Sequence, residues 1–124
     1  MAKSEIRAFT GADLDAVGTI WNRALRRDPI NPGRLRAWLF GDPDYWPGPE
    51  CGFFVATRGG TPVGFARAII RRYPNDRLGI EPEHGWIPVL AVDPDQQRQG
   101  VGRALLEAAL NYLRAAGRRR VWVC

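Results

Sequence analysis

Gln97-Arg98-Gln99-Gly100-Val101-Gly102 is the segment of this 124-residue chain whose residue types and spacing come nearest to a chemical task. It follows Val89-Leu90-Ala91-Val92, which has strand character, and Asp93-Pro94-Asp95-Gln96, and it opens a run whose apolar residues recur at helical spacing. A strand that enters a glycine-containing loop and then a helix aims free backbone amides and the positive end of the helix dipole at one spot, which attracts phosphate. Gly100 and Gly102 lack Cβ atoms, so a pyrophosphate can approach the backbone there, and positive φ is permitted if the turn needs it. The segment has neither the Lys-Ser/Thr of a nucleoside-triphosphate loop nor the spacing of a dinucleotide fingerprint. An ordinary tight strand-to-helix turn uses the same glycines.

The charge is uneven in a way that bears on this segment. Residues 1–97 balance, with 12 positive side chains against 12 negative, whereas residues 98–124 carry Arg98, Arg103, Arg114, Arg118, Arg119 and Arg120 against Glu107 alone. The whole excess of +5 therefore lies at the C-terminal end, which fits an anionic partner, either nucleic acid or a phosphorylated small molecule, or else a solvated basic face. Arg118-Arg119-Arg120 favours nucleic acid, but no RNA- or DNA-binding motif accompanies it, and nucleic acid is not the expected partner. Cys51 and Cys124 have no metal-ligand spacing and one histidine, His84, to help them, so no metal site is expected and the thiols read as free.

The elements that must position the glycine loop follow from patterning. Glu5 to Phe9 reads as a strand, and Thr10 stands as N-cap before a helix with Leu14, Val17, Ile20, Trp21, Ala24 and Leu25 on one stripe. A second short helix places Leu35, Trp38 and Leu39 on one face, and an irregular loop runs to Glu50. Gly52 to Thr57 and Val63 to Arg71 form an antiparallel hairpin around Arg58-Gly59-Gly60-Thr61. After a polar connection comes the strand Trp86 to Val92, where Pro88 lacks an N–H and predicts a bulge. The helix after the glycine loop is predicted to bury Val101, Leu105, Ala108 and Tyr112 and to end at Gly117, and Arg118 to Cys124 begins a last strand. The expected architecture is α/β (α+β), in the order β-α-α-β-β-β-α-β, as a single domain over residues 1–124.

From Val89 to Gly102 the chain resembles the GNAT superfamily of acetyl-coenzyme A-dependent N-acetyltransferases, whose motif is Gln/Arg-x-x-Gly-x-Gly/Ala after a valine-rich strand. Gln97, Gly100 and Gly102 occupy its fixed positions, and the element order before them agrees over nearly the whole chain. The resemblance implies a mixed, mostly antiparallel sheet flanked by helices, with acetyl-CoA as acyl donor. It further implies that the segment Gln97, Arg98, Gln99, Gly100, Val101, Gly102 and Arg103 holds the pyrophosphate while the pantetheine arm pairs with the backbone of Leu90, Ala91 and Val92. In the family that strand splays from the next one, and a bulge at Pro88 suits the splay. The N–H of Leu90 is then expected to polarise the thioester carbonyl, and an amine attacks directly, without a covalent enzyme intermediate.

A lysine-like amine, with a reference pKa of about 10.4, must lose a proton before attack, and His84 and Glu83 are the candidate catalytic bases, with Glu81 beside them. Each is equally readable as a solvated loop residue. Trp38, Tyr45 and Trp46, near Asp42, Asp44 and Glu50, are the candidate substrate-binding residues, because carboxylates and aromatic faces together suit a cationic amine. Core packing is the competing role for the tryptophans. The acceptor is thus expected to be a small-molecule or peptide amine, with a catalytically weak acyl-CoA-binding module of the same fold as the alternative.

The family continues beyond the fifth strand, so the sequence is expected to be C-terminally incomplete, or to cover Val121 to Val123 with a second copy, as a homodimer, or with a partner chain. Hydrophobic residues at 45% and charged residues at 25% exclude a disordered or collagen-like chain. The longest apolar run, Trp86 to Val92, is far short of a membrane helix, and the N-terminus shows no signal-peptide pattern, which makes a cytoplasmic location the expectation.

Overall fold

The computed structural model describes residues 4–31, 33–36, 51–70 and 84–123. Five strands form one sheet in sequence order: β1 (Ser4–Ala8), β2 (Cys51–Arg58), β3 (Thr61–Ile70), β4 (His84–Val92) and β5 (Arg120–Val123). Neighbours are antiparallel from β1 to β4, and β5 runs parallel to β4. Helix α1 (Leu14–Ala24) packs on one face and α2 (Val101–Ala115) on the other, while residues 33–36 are also helical. The mixed, mostly antiparallel sheet flanked by helices is the architecture the sequence predicts.

The stripe foreseen for α1 is the one buried: Leu14, Val17, Ile20 and Trp21 join Leu35, Val55, Phe65, Val89 and Ala91 in one core. Trp21 stacks on Phe65 and Phe65 on Phe53, each pair with ring centroids 6.0 Å apart, which gives this layer rigid aromatic surfaces. Helix α2 corrects one expectation. Its buried residues are Val101, Leu105, Ala109 and Leu113, not Ala108 and Tyr112, which are only partly covered. A single i, i+4 row meets the sheet, and Tyr112 instead lies at its flank, edge-on to Phe54 at 6.0 Å.

Thr10 is the N-cap expected ahead of α1, and Asp13 closes a capping box with it. Thr10 precedes a 3-10 turn, Gly11–Asp13, and its amide donates to Asp13 Oδ2 at 2.9 Å, while the Thr10 hydroxyl donates to the same oxygen at 3.3 Å. Arg7 on β1 donates from Nη1 to Oδ2 at 2.7 Å and from Nη2 to Oδ1 at 2.8 Å. Asp13 is buried, and the Arg7 hydrogen bond, outweighing the cost of burial, lowers its pKa from 3.8 to about 2. The unfolded chain therefore takes up this proton first as pH falls, so the stability is fully present above about pH 4 and disappears as pH drops through about 2. Asp13→Asn is expected to cost about 2 kcal/mol in urea unfolding at pH 7, a deficit that vanishes near pH 2. A deficit that persists unchanged at pH 2 would show that packing, not ionisation, holds this corner.

The bulge expected at Pro88 is present. Arg67 pairs with Val89 but Ile69 with Trp86, so Ile87 and Pro88 together face one residue of β3. The extra residue resets the alternation of side chains. Ile87 packs with Ala109 and Leu113 on the α2 side, whereas Val89, two positions on, packs in the α1 core. No helix among the described residues is long and apolar enough to cross a membrane.

Candidate functional site

Backbone direction on β4 decides which groups are free to bind. The Asp93 amide donates to the Val63 carbonyl at 2.8 Å, so residues 93, 91 and 89 turn their polar groups toward β3. Leu90 and Val92, one out of phase, turn theirs toward the opposite edge. β5 covers that edge only from His84 to Ile87, leaving the N–H and C=O of Leu90 and the N–H of Val92 without a strand partner among the described residues. The Val92 carbonyl accepts from Gln97 Nε2 at 3.1 Å. Ala91, also named in the sequence as a backbone contact, faces β3 with its peptide groups, and it is buried in the α1 core.

The glycine loop completes this edge. Gly100 is the N-cap of α2 with φ 84° and ψ 2°, and it has no side chain with which to satisfy the helix amides. The Ala104 amide reaches the Gly100 carbonyl at 3.0 Å, but the amides from Gln97 to Arg103 donate to no acceptor among the described residues. The first turn of α2 holds no acidic residue. Free amides, the helix dipole and the Arg98 and Arg103 charges therefore combine into a positive field, although Arg103 is also 3.4 Å from Glu107. Gly102 sits closer to the strand, where an added Cβ would lie 3.6 Å from Val92 Cγ2, an ordinary contact.

Two tethers hold the loop in place. From α1, Arg23 donates to Asp93 Oδ2 at 2.6 Å and to Asp95 Oδ2 at 2.9 Å. At the end of β2, Arg58 Nη1 donates to Gln96 Oε1 at 2.8 Å and to Gln99 Oε1. Between these anchors Arg98 adopts φ 66°, a left-handed conformation that costs a non-glycine residue about 1 kcal/mol or more and persists only where the surroundings enforce it.

A cleft of about 290 Å³ lies along this edge, lined by Leu90, Ala91 and Val92, by Gln97, Arg98 and Gly102, and by Ala24 and Leu25 at the end of α1. Its predicted members came from the strand and loop; Ala24 and Leu25 had been assigned only to the helix stripe. Arg23 and Arg58 were also missed, because a charged residue gives no local sign of a partner far along the chain. His84 opens β4 opposite Arg120, but its side chain, and Glu81, Glu83, Trp38, Asp42, Asp44, Tyr45, Trp46 and Glu50, lie outside the described residues.

Comparison with known proteins bears on this geometry. Residues 15–124 match the model of the acetyltransferase (GNAT) family. The mycothiol acetyltransferase of Amycolatopsis mediterranei (strain U-32) is 32% identical over 126 residues, which is 94% of this chain but 38% of that protein, so the chain spans well under half of its relative's length. Among solved structures, the ribosomal-protein-S18-alanine N-acetyltransferase of Escherichia coli superposes with a TM-score of 0.73 at 26% identity, covering 98% of this chain and 66% of the other. An aminoglycoside N-acetyltransferase in complex with CoA shares the fold at 18% identity, with a TM-score of 0.73 and coverage of 100% and 78%. The glycine loop with its free amides between β4 and α2 lies on this sheet and inside the family match, and the conclusion is direct: the chain belongs to the acetyltransferase (GNAT) family.

Proposed function

We propose that the chain is an N-acetyltransferase that moves an acetyl group from acetyl-coenzyme A to a primary amine of a small molecule or peptide. The observation that carries this reading is the run of amides from Gln97 to Arg103 with no protein acceptor, set beside the free edge of Leu90 and Val92. The residues fit the donor: the loop and the α2 dipole would hold its pyrophosphate, and the Leu90 and Val92 peptide groups would pair with its pantetheine amides as a missing strand would. The donor supplies an activated thioester. The Leu90 N–H, fixed by the sheet, would then donate to the thioester oxygen as negative charge grows there. The amine forms its new C–N bond as the C–S bond breaks, coenzyme A leaves as a thiolate that takes up a proton from water, and the amine's proton passes to a base or to water.

His84 and Glu83 remain our proposed bases for that proton. His84 lies six residues before Leu90, roughly 20 Å along an extended strand, so the proton would travel through water rather than pass to the side chain directly. His84→Gln or Glu83→Gln is accordingly expected to lower turnover about tenfold at pH values above the base's own pKa and below that of the amine, and least at low pH, where the parent's base is itself protonated, with coenzyme affinity unchanged. Unaltered pH–rate profiles in both variants would clear both and point to Glu81, the acceptor loop or water.

The acceptor class rests on the names of similar proteins, which span mycothiol acetyltransferase, aminoglycoside N-acetyltransferase and ribosomal-protein-S18-alanine N-acetyltransferase. The test is release of free coenzyme A from acetyl-coenzyme A in the presence of a panel of small amines and N-terminal peptides. Turnover with one class of amine is the expected result. Tight coenzyme binding with no turnover against any amine would make the chain an acyl-CoA-binding module instead.

A further inference from the structure

We infer that Arg23 is a positioning residue for coenzyme affinity, acting from α1 by offsetting the charge of two carboxylates that precede the glycine loop. This rests on the proposed coenzyme site. Asp93 and Asp95 stand at the mouth of the loop, two residues apart and only a few positions from the amides that are to receive a polyanion. Asp93 is structurally committed, since its Oδ1 accepts from the Asp95 amide at 2.9 Å and caps the short Pro94–Gln96 turn. Its carboxylate therefore cannot be dispensed with, and Asp95 adds a second charge beside it.

Arg23 answers both at once, with Nη1 on Asp93 and Nη2 on Asp95. The two contacts span 70 and 72 positions of sequence, so they also set the distance between the end of α1 and the loop. Ala24 and Leu25, the residues that follow Arg23, line the coenzyme cleft, and Arg23 itself lines an adjoining one of about 490 Å³ with Arg26, Arg27 and Pro94. As a stability device the Asp95 contact is weak, because Arg23 is 44% and Asp95 74% exposed and water screens such contacts, whereas Asp93 is mostly covered and its contact carries the structural part. As an electrostatic device it has a clear object: without Arg23, two negative charges within four residues of Gln97 would stand without their arginine partner beside the loop proposed to take a polyanion.

The test uses the whole chain and coenzyme A alone, with affinity read by calorimetry, so no acceptor is needed. Arg23→Ala is expected to weaken binding roughly fivefold at low ionic strength and much less at high salt. Arg23→Lys, which keeps the charge, should stay within about twofold of the parent, and Arg23→Ala/Asp95→Asn, which restores the parent's local net charge, should recover most of the loss. Affinity measured well below each variant's unfolding midpoint, together with its dependence on salt, separates this role from a purely structural one, because a structural loss would persist at high salt. An Arg23→Ala chain that binds as tightly as the parent, or a double variant no better than the single one, overturns the inference. A parent chain that fails to bind coenzyme A overturns the proposed function instead.

Discussion

Replacing Gly100 by valine is expected to weaken acetyl-coenzyme A binding by a hundredfold or more, while the fold survives with a stability loss of about 1–2 kcal/mol. Two features of the position separate these effects. A Cβ built on Gly100 meets no protein atom within 4 Å, so the new side chain enters open space at the loop and not the core. The φ of 84° is left-handed, and a β-branched residue held there is strained, which accounts for the stability loss and limits it to one residue. Gly102→Ala is the natural control. Its Cβ would rest 3.6 Å from Val92 Cγ2 and 3.9 Å from Leu90 Cδ2, and alanine favours the helix, so stability should rise slightly and affinity should change by no more than a few-fold. Calorimetric titration of the two variants, each with a thermal unfolding curve, checks both halves. Parental affinity in Gly100→Val would remove the loop from the account.

Leu105→Ala is expected to lower the free energy of unfolding by about 2–5 kcal/mol, the largest stability effect we foresee. Leu105 is fully buried one turn into α2, in the cluster with Val101, Val92, Val63 and Ala66 that fixes the helix on β3 and β4. The fit is tight, because a Cβ at Gly64 would come within 3.0 Å of Leu105 Cδ1 and 3.0 Å of the Ala91 carbonyl oxygen, so the cavity has little room to collapse. The amides of the phosphate loop are aimed by this same helix. Urea unfolding should show a lower midpoint with an unchanged slope, and the variant should bind coenzyme more weakly even where it is fully folded. A loss below 1 kcal/mol would mean that α2 is not anchored through Leu105.

Much of this architecture was legible in the sequence, for reasons that differ by element. The stripe Leu14, Val17, Ile20 and Trp21 could be read because helical periodicity is a local signal, and the hairpin because Gly59-Gly60 supplies the two positive-φ residues its turn requires, with φ of 59° and 81°. Pro88 gave away the β4 bulge by its missing donor. The face of α2 was read partly wrong, since Ala108 and Ala109, or Tyr112 and Leu113, differ by 100° around the helix and only the twist of the sheet decides between them. The loop itself was legible as a motif, but not its anchoring: nothing near Arg23 or Arg58 indicates Asp93, Asp95 or Gln96, which come from distant parts of the chain. Which of Leu90, Ala91 and Val92 presents its backbone to the cleft depended on strand phase, and phase is set by the Asp93–Val63 pairing rather than by residue type.

The central claim, that the amides from Gln97 to Arg103 and the free edge of β4 receive the coenzyme, is tested most directly by titrating isotopically labelled chain with acetyl-coenzyme A and following each backbone amide by NMR. The account predicts that the amides of Gln97 to Arg103, together with those of Leu90 and Val92, show the largest shifts and saturate with one common affinity, while the Ala91 amide, bonded toward β3, moves less. Saturable binding whose shifts fall elsewhere on the sheet, with these amides unmoved, would contradict it.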